Sequence, residues 1–127
     1  MTEQQAHQLV ERYLEAYNLF EVAGMLSGLH PDVTFENVAN DTVTLRTAGK
    51  AAFAAQAEQA IAWFTERNQH VQTFRFRDGR AEVDVDYFGI VAIDLPNGLK
   101  AGTELRLTGR SVFTFRDGLI ASIQDVN

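Results

Sequence analysis

The sequence predicts an α+β domain in which helices gather beside one curved, mainly antiparallel sheet. Three observations carry this. Between residues 105 and 115 the odd positions are Leu105, Leu107, Gly109, Ser111, Phe113 and Phe115, and the even ones Arg106, Thr108, Arg110, Val112 and Thr114. That alternation gives one apolar face and one basic, polar face, as a half-buried strand requires. The pairs Asp78-Gly79, Asn97-Gly98 and Asp117-Gly118 separate β-rich runs and mark hairpins. Helical periodicity ends before residue 68, so helices and meander are segregated along the chain.

The first helix opens on a capping box, Thr2 with Gln5, and carries Ala6, Leu9, Val10, Tyr13, Leu14 and Tyr17 as one apolar stripe. A break follows at 18–21. Val22, Met25, Leu26 and Leu29 suggest a short second helix, interrupted by Gly24 and Gly28 and stopped before His30-Pro31. Residues 33–38 alternate as a short strand, 39–41 turn, and 42–46 form a small strand. Gly49-Lys50 opens an alanine-rich helix predicted to run to about Arg67. Phe53, Ala57, Ile61 and Phe64 are its buried stripe, Trp63 flanks it, and Asn68 stops it. The meander then runs 70–77, 80–95, the long strand 103–116, and 119–126. Gly89 is placed as a bulge that bends the sheet.

Composition excludes several function classes. The 127 residues read as one domain, 1–127, able to bury roughly two-thirds of its unfolded surface. A formal charge of −6 argues against nucleic acid, whose backbone calls for a basic surface. No apolar run approaches the roughly 20 residues of a membrane span, and residues 1–10 lack a signal-peptide core. No membrane partner is expected, and the cytoplasm is the default location. The absence of cysteine removes disulfides, thiol nucleophiles and zinc–thiolate sites. His7, His30 and His70 have no metal-ligand spacing, and no glycine loop cradles phosphate, so neither metal nor cofactor is expected. Ser111 lies within a strand and lacks the second glycine of a nucleophile elbow. Nine Phe, three Tyr and one Trp suit an aromatic-lined cavity.

The element order, with Arg12-Tyr13, the run from Asp32 to Asn37 (DVTFEN) and the run from Ser111 to Ile120 (SVFTFRDGLI), resembles the nuclear transport factor 2-like superfamily. Its cone-shaped folds include ketosteroid isomerase, limonene epoxide hydrolase and SnoaL-like polyketide cyclases. The resemblance implies a curved sheet wrapped around a long helix, with a mainly apolar pocket. Against ketosteroid isomerase, Tyr13 matches the oxyanion-hole tyrosine, but Asn37 and Ser111 stand where its two aspartates fall. Against limonene epoxide hydrolase, Asn37 matches the water-positioning residue and Asp125 one catalytic aspartate, while Phe35 replaces a tyrosine. A SnoaL-like cyclase needs a single pocket aspartate and no cofactor, a requirement that Asp125 meets. The implied activity is cofactor-free acid/base chemistry on a small hydrophobic molecule. A non-catalytic binding or assembly module of the same fold is the alternative.

Asp125 lies in phase with Ala121 and Ile123 on the face expected to point inward, where lost hydration would raise its pKa. Its bland reading is a solvated carboxylate near a frayed chain end. Asn37 and Tyr13 are placed beside it as catalytic partners. Tyr17, Phe35, Phe64, Phe88, Ser111 and Phe113 are expected to bind the ligand. Core packing is the commoner role for tyrosines placed like Tyr13 and Tyr17, and Asn37 and Ser111 could merely satisfy backbone groups. Glu82, Asp84 and Asp86 form either a solvated ladder beside Arg106 and Arg110 or, with a two-residue Asn97-Gly98 turn, an acidic pocket wall. The strand 103–116 has a long outer face with Val112 among Arg and Thr, and the resemblance implies pairing through that surface, so a homodimer is expected.

Overall fold

In the computed structural model, which describes residues 1–127, the Thr2 hydroxyl accepts the Gln5 N–H at 3.1 Å and Gln5 Oε1 accepts the Thr2 N–H at 2.9 Å. This capping box starts α1 (Glu3–Asn18), whose inner face buries Ala6, Val10, Tyr13, Leu14 and Ala16. A β-carbon at Gly24 would lie 2.9 Å from Ala16 Cβ, so the glycine lets α2 (Val22–Leu26) close against α1. The second helix ends there, short of the expected Leu29, because Leu29 is recruited into a strand beside Ile120.

The remaining elements are β1 (Leu29–Ala39), β2 (Thr42–Ala48), α3 (Lys50–Ile61), β3 (Phe64–Arg77), β4 (Arg80–Val91), β5 (Glu104–Arg116) and β6 (Leu119–Val126). They form the expected α+β fold. One six-stranded sheet has the order β2-β1-β6-β5-β4-β3, antiparallel throughout except between β1 and β6. Bulges at Thr44 on β2, at Thr65 and Gln72 on β3 and at Ala121 on β6 curve it. α3 packs on β1 and α1 on β3, so the helices close one face of the sheet. Phe113, Ile120, Ile123, Val33 and Val83 are fully buried between them. Asn40-Asp41, Asp78-Gly79 and Asp117-Gly118 all take paired positive φ values, the backbone of tight hairpin turns.

Three expectations need correction. The third helix ends at Ile61, and Phe64 to Arg67 belong to β3. Ile61 and Phe64 stand three apart, a spacing a helix would also use, but β4 offers these residues a ladder partner from Val91 onward. Second, β4 stops at Val91, and Asn97-Gly98 belongs to a longer connection over residues 92–103. Gly98 N–H there donates to Leu95 O at 3.1 Å, and Gly102 N–H to Val91 O at 2.7 Å. This connection sets even positions opposite even ones, Asp84 facing Arg110 and Phe88 facing Arg106, with no bulge at Gly89. Gly89 instead makes room: a β-carbon there would meet Tyr87 and Phe64 ring carbons at 3.1–3.2 Å.

Third, the same register puts Phe88 on the outer face, beneath the Arg106 guanidinium 4.7 Å from its ring centre, and turns Tyr87 inward. The acids follow Phe88 outward. Asp84 accepts from Thr73 at 2.6 Å, Arg75 at 3.0 Å and Arg110 at 3.2 Å, which holds its carboxyl well below the usual range. They form the solvated ladder. Val112, on the outer face of β5, is 8% exposed.

Candidate active site

Register across three adjacent strands assembles the polar centre of the concave face. Asn37 on β1 is the cross-strand partner of Asp125 on β6, and Asp125 is the partner of Ser111 on β5. Side chains of partnered residues leave a sheet on the same side, so all three project together. Leu45 and Val83 extend the row on either side and frame the polar group with apolar surface.

The Ser111 hydroxyl donates to Asp125 Oδ1 at 2.7 Å. Burial among protein groups pushes the Asp125 carboxyl up to about 6, and the Ser111 hydrogen bond only partly offsets that. The frayed-end reading fails, because β6 is paired on both sides and Asn127 N–H donates to Val38 O at 2.9 Å. Asn37 Nδ2 donates to Thr44 Oγ1 at 2.8 Å, which leaves Oδ1 without a protein partner.

Asp125 stands where two chambers meet. The inner one, about 290 Å³, is walled by Tyr13, Phe35, Phe53, Ala57, Met25 and Arg67 among others. The outer one, about 670 Å³, reaches Phe64, Tyr87, Leu105, Leu107, Ser111 and the loop at Leu95 and Leu99. Tyr17, Asn37, Trp63 and Asp125 line both. Together they have the size and mixed lining of a small-molecule site. Tyr13 packs edge-on against Phe113 at 5.9 Å, and burial raises its hydroxyl pKa strongly, with the Asp125 charge adding to the effect. Tyr17 and Tyr87 join hydroxyls at 3.0 Å, and burial raises both. All three tyrosines are therefore neutral hydrogen-bond donors at pH 7.

Of the residues singled out from sequence, Asp125, Asn37, Tyr13, Tyr17, Phe35, Phe64 and Ser111 reach the cavity. Phe88 does not, for the reason of register given above. Phe113 lies beneath the cavity as fully buried core, and its contact with the site passes through Tyr13. Tyr87 and Arg67 belong to the site although the sequence did not point to them. Tyr87 shares its odd parity with Val83 and Val85, a signal that was present. Arg67 was hidden by its placement at the end of a helix.

The SnoaL-like domain family matches this chain over residues 10–123. No curated protein matches it. Among solved structures, a candidate polyketide cyclase from Xanthomonas campestris pv. campestris is 26% identical. It superposes over 98% of this chain and 90% of its own, with a TM-score of 0.81. A candidate polyketide cyclase from Pseudomonas putida KT2440 is 23% identical over 94% of this chain and 89% of its own, TM-score 0.77. An LEH-like epoxide hydrolase from M. tuberculosis shares the fold at 17% identity, covering 97% of this chain and 82% of its own, TM-score 0.77. The nuclear transport factor 2-like fold is common to all of them.

Proposed function

We propose that this chain, which belongs to the SnoaL-like domain family, catalyses proton transfer without a cofactor on a small hydrophobic ketone. The observation that carries the reading is Asp125, a carboxylate with a pKa near 6 at the junction of two aromatic-walled chambers. A base poised close to neutral pH is what proton abstraction from carbon calls for.

Ionised Asp125 takes a proton from a carbon beside the substrate carbonyl. The C–H electron pair forms the new C=C bond, and the carbonyl π pair moves onto oxygen as an enolate. Tyr13, kept protonated by burial, donates to that oxygen. Asn37 Oδ1 accepts from a substrate hydroxyl. Asp125 then returns its proton in one of two ways. In an isomerisation it goes to a different carbon. In a cyclisation it goes to the alkoxide formed when the enolate carbon attacks a second carbonyl of the same molecule. Both routes balance without an added reagent. The 26% identical candidate cyclase favours the second. Epoxide hydrolysis has less support, since Thr44 engages the Asn37 amide that would position a water.

Asp125→Asn tests the reading, with aromatic and polycyclic ketones as substrates and solvent-deuterium exchange at the α-carbon as readout. Exchange and turnover should fall by about 10²-fold or more while affinity stays within a few-fold. In the unaltered protein kcat/KM should rise with pH through about 6 and then level, since the ionised carboxylate is the active form. A variant that changes affinity alone would establish the non-catalytic binding module instead. A homodimer paired through the outer face of β5 belongs to the same proposal. Light scattering that reports only 14.2 kDa particles at micromolar concentration would remove it.

A further inference from the structure

The inner chamber holds a second charge, and the fold gives it no counter-ion. Arg67 is 3% exposed, yet it takes part in none of the ion pairs of the chain. Arginine is rarely buried so completely without an anionic partner. Its protein contacts are modest. Nε donates to Tyr17 O at 2.8 Å, near the C-terminus of α1, and Nη2 lies 4.0 Å from Met25 Sδ. The guanidinium stacks 3.8 Å above the Tyr17 ring centre and 4.5 Å from that of Phe20.

Nη1 has no protein partner, and it is not sealed away. The one sealed, unpartnered side-chain polar atom in the chain is Thr47 Oγ1. Nη1 therefore keeps accessible surface, and the cavity that Arg67 lines is the inner chamber. With Nε committed to a carbonyl, the side-on approach to the guanidinium is closed and the Nη1–Nη2 end remains. A planar carboxylate fits that end with two parallel hydrogen bonds.

We propose that Arg67 is a substrate-binding residue, and that the molecule taken by this cavity is a hydrophobic carboxylic acid whose carboxylate docks on Arg67 in the inner chamber. The inference rests on reading the cavity as a substrate site, but not on Asp125 being catalytic. A monoanion is favoured over a phosphate dianion. The inner chamber offers one cation, and a second negative charge would lie unpaired in the space that Asp125 also lines. Arg67 lines only the inner chamber while Asp125 lines both. The carboxylate thus enters first, the reacting carbon stops at the junction, and the apolar body extends past Trp63 and Phe64. Burial dominates the pKa of Tyr13, but the charges of Asp125 and Arg67 also act on it, in opposite directions, as expected if its hydroxyl lies within reach of both. The substrate class that follows is an aromatic or polyketide-like keto acid.

Isothermal titration with 2-naphthoate and with 2-naphthylmethanol, its neutral counterpart of similar shape, tests this at pH 8. The acid should bind the unaltered protein at least about tenfold more tightly, the worth of one charge-assisted hydrogen-bond pair. Arg67→Met should erase that preference, and Arg67→Lys should retain part of it. Should Arg67→Met fail to fold through loss of its grip on α1, displacement of the Arg67 side-chain nitrogen resonances by naphthoate in the unaltered protein gives the same information. The proposal is overturned if the alcohol binds as tightly as the acid. It is equally overturned if neither binds, if the acid preference survives in folded Arg67→Met, or if those resonances do not move. Asp125→Asn should keep or strengthen naphthoate binding, so failure of the catalytic reading and failure of this one are separable.

Discussion

Asp125 receives one short hydrogen bond, from Ser111, and gives up much of its remaining hydration to the cavity wall, whereas Asp84 on the outer face collects three donors in water. The same functional group is thus pushed up in one place and held down in the other, by burial and by donors respectively. The upward shift has a consequence for stability. The ordinary value is 3.8 and the folded value about 6. Below about pH 4 both the folded and the unfolded chain carry the proton. Between about 4 and 6 the unfolded chain releases it while the folded chain retains it, so stability falls as pH rises. Above that window the penalty is constant, at about 2 kcal/mol once the partial exposure of Asp125 is allowed for. Asp125→Asn should therefore gain about 2 kcal/mol relative to the unaltered protein between pH 4 and pH 8. Urea unfolding at both pH values measures this, and a difference independent of pH would contradict it.

The strands bring this residue into place, and β5 and β6 matter most. A β-carbon on Gly109 would lie 2.9 Å from Val126 O, a backbone atom that cannot swing aside. Gly109→Ala should therefore push the end of β6 outward and destabilise the protein by about 1–3 kcal/mol. Thermal unfolding with the Asp125–Ser111 contact followed by NMR would register both effects, and an unchanged melting temperature would count against this packing. The alternation on β5, the Asp117-Gly118 turn and the return of β6 were legible because period two and turn chemistry are local properties. They were enough to place Asp125 and Ser111 on the inner face, and the alternation over residues 33–38 placed Asn37 there too. Phe88 and Arg67 were not legible, because each depends on non-local pairing. Parity on β4 is set by the long connection over residues 92–103, which the Asn97-Gly98 pair disguised as a two-residue turn. The end of α3 is set by the ladder partner that β4 supplies, which the spacing of Ile61 and Phe64 does not encode.

At the scale of the whole molecule, the helices and the curved sheet close over a space in which one carboxylate and one guanidinium face aromatic walls. In the proposed reaction the fold's contribution is the partial desolvation of Asp125 in that space. Without it Asp125 would titrate as an ordinary surface carboxylate, ionised but too weak a base to take a proton from carbon. The proposed role of this residue as a base depends on that desolvation. It can be read directly, with no substrate in hand, from the carboxyl ¹³C shift of Asp125 followed by NMR across pH 3 to 9. The carboxyl should titrate with a midpoint near 6, whereas a midpoint near the ordinary 3.8 would mean that the cavity leaves Asp125 in contact with bulk water and would contradict the assignment of this residue as the base.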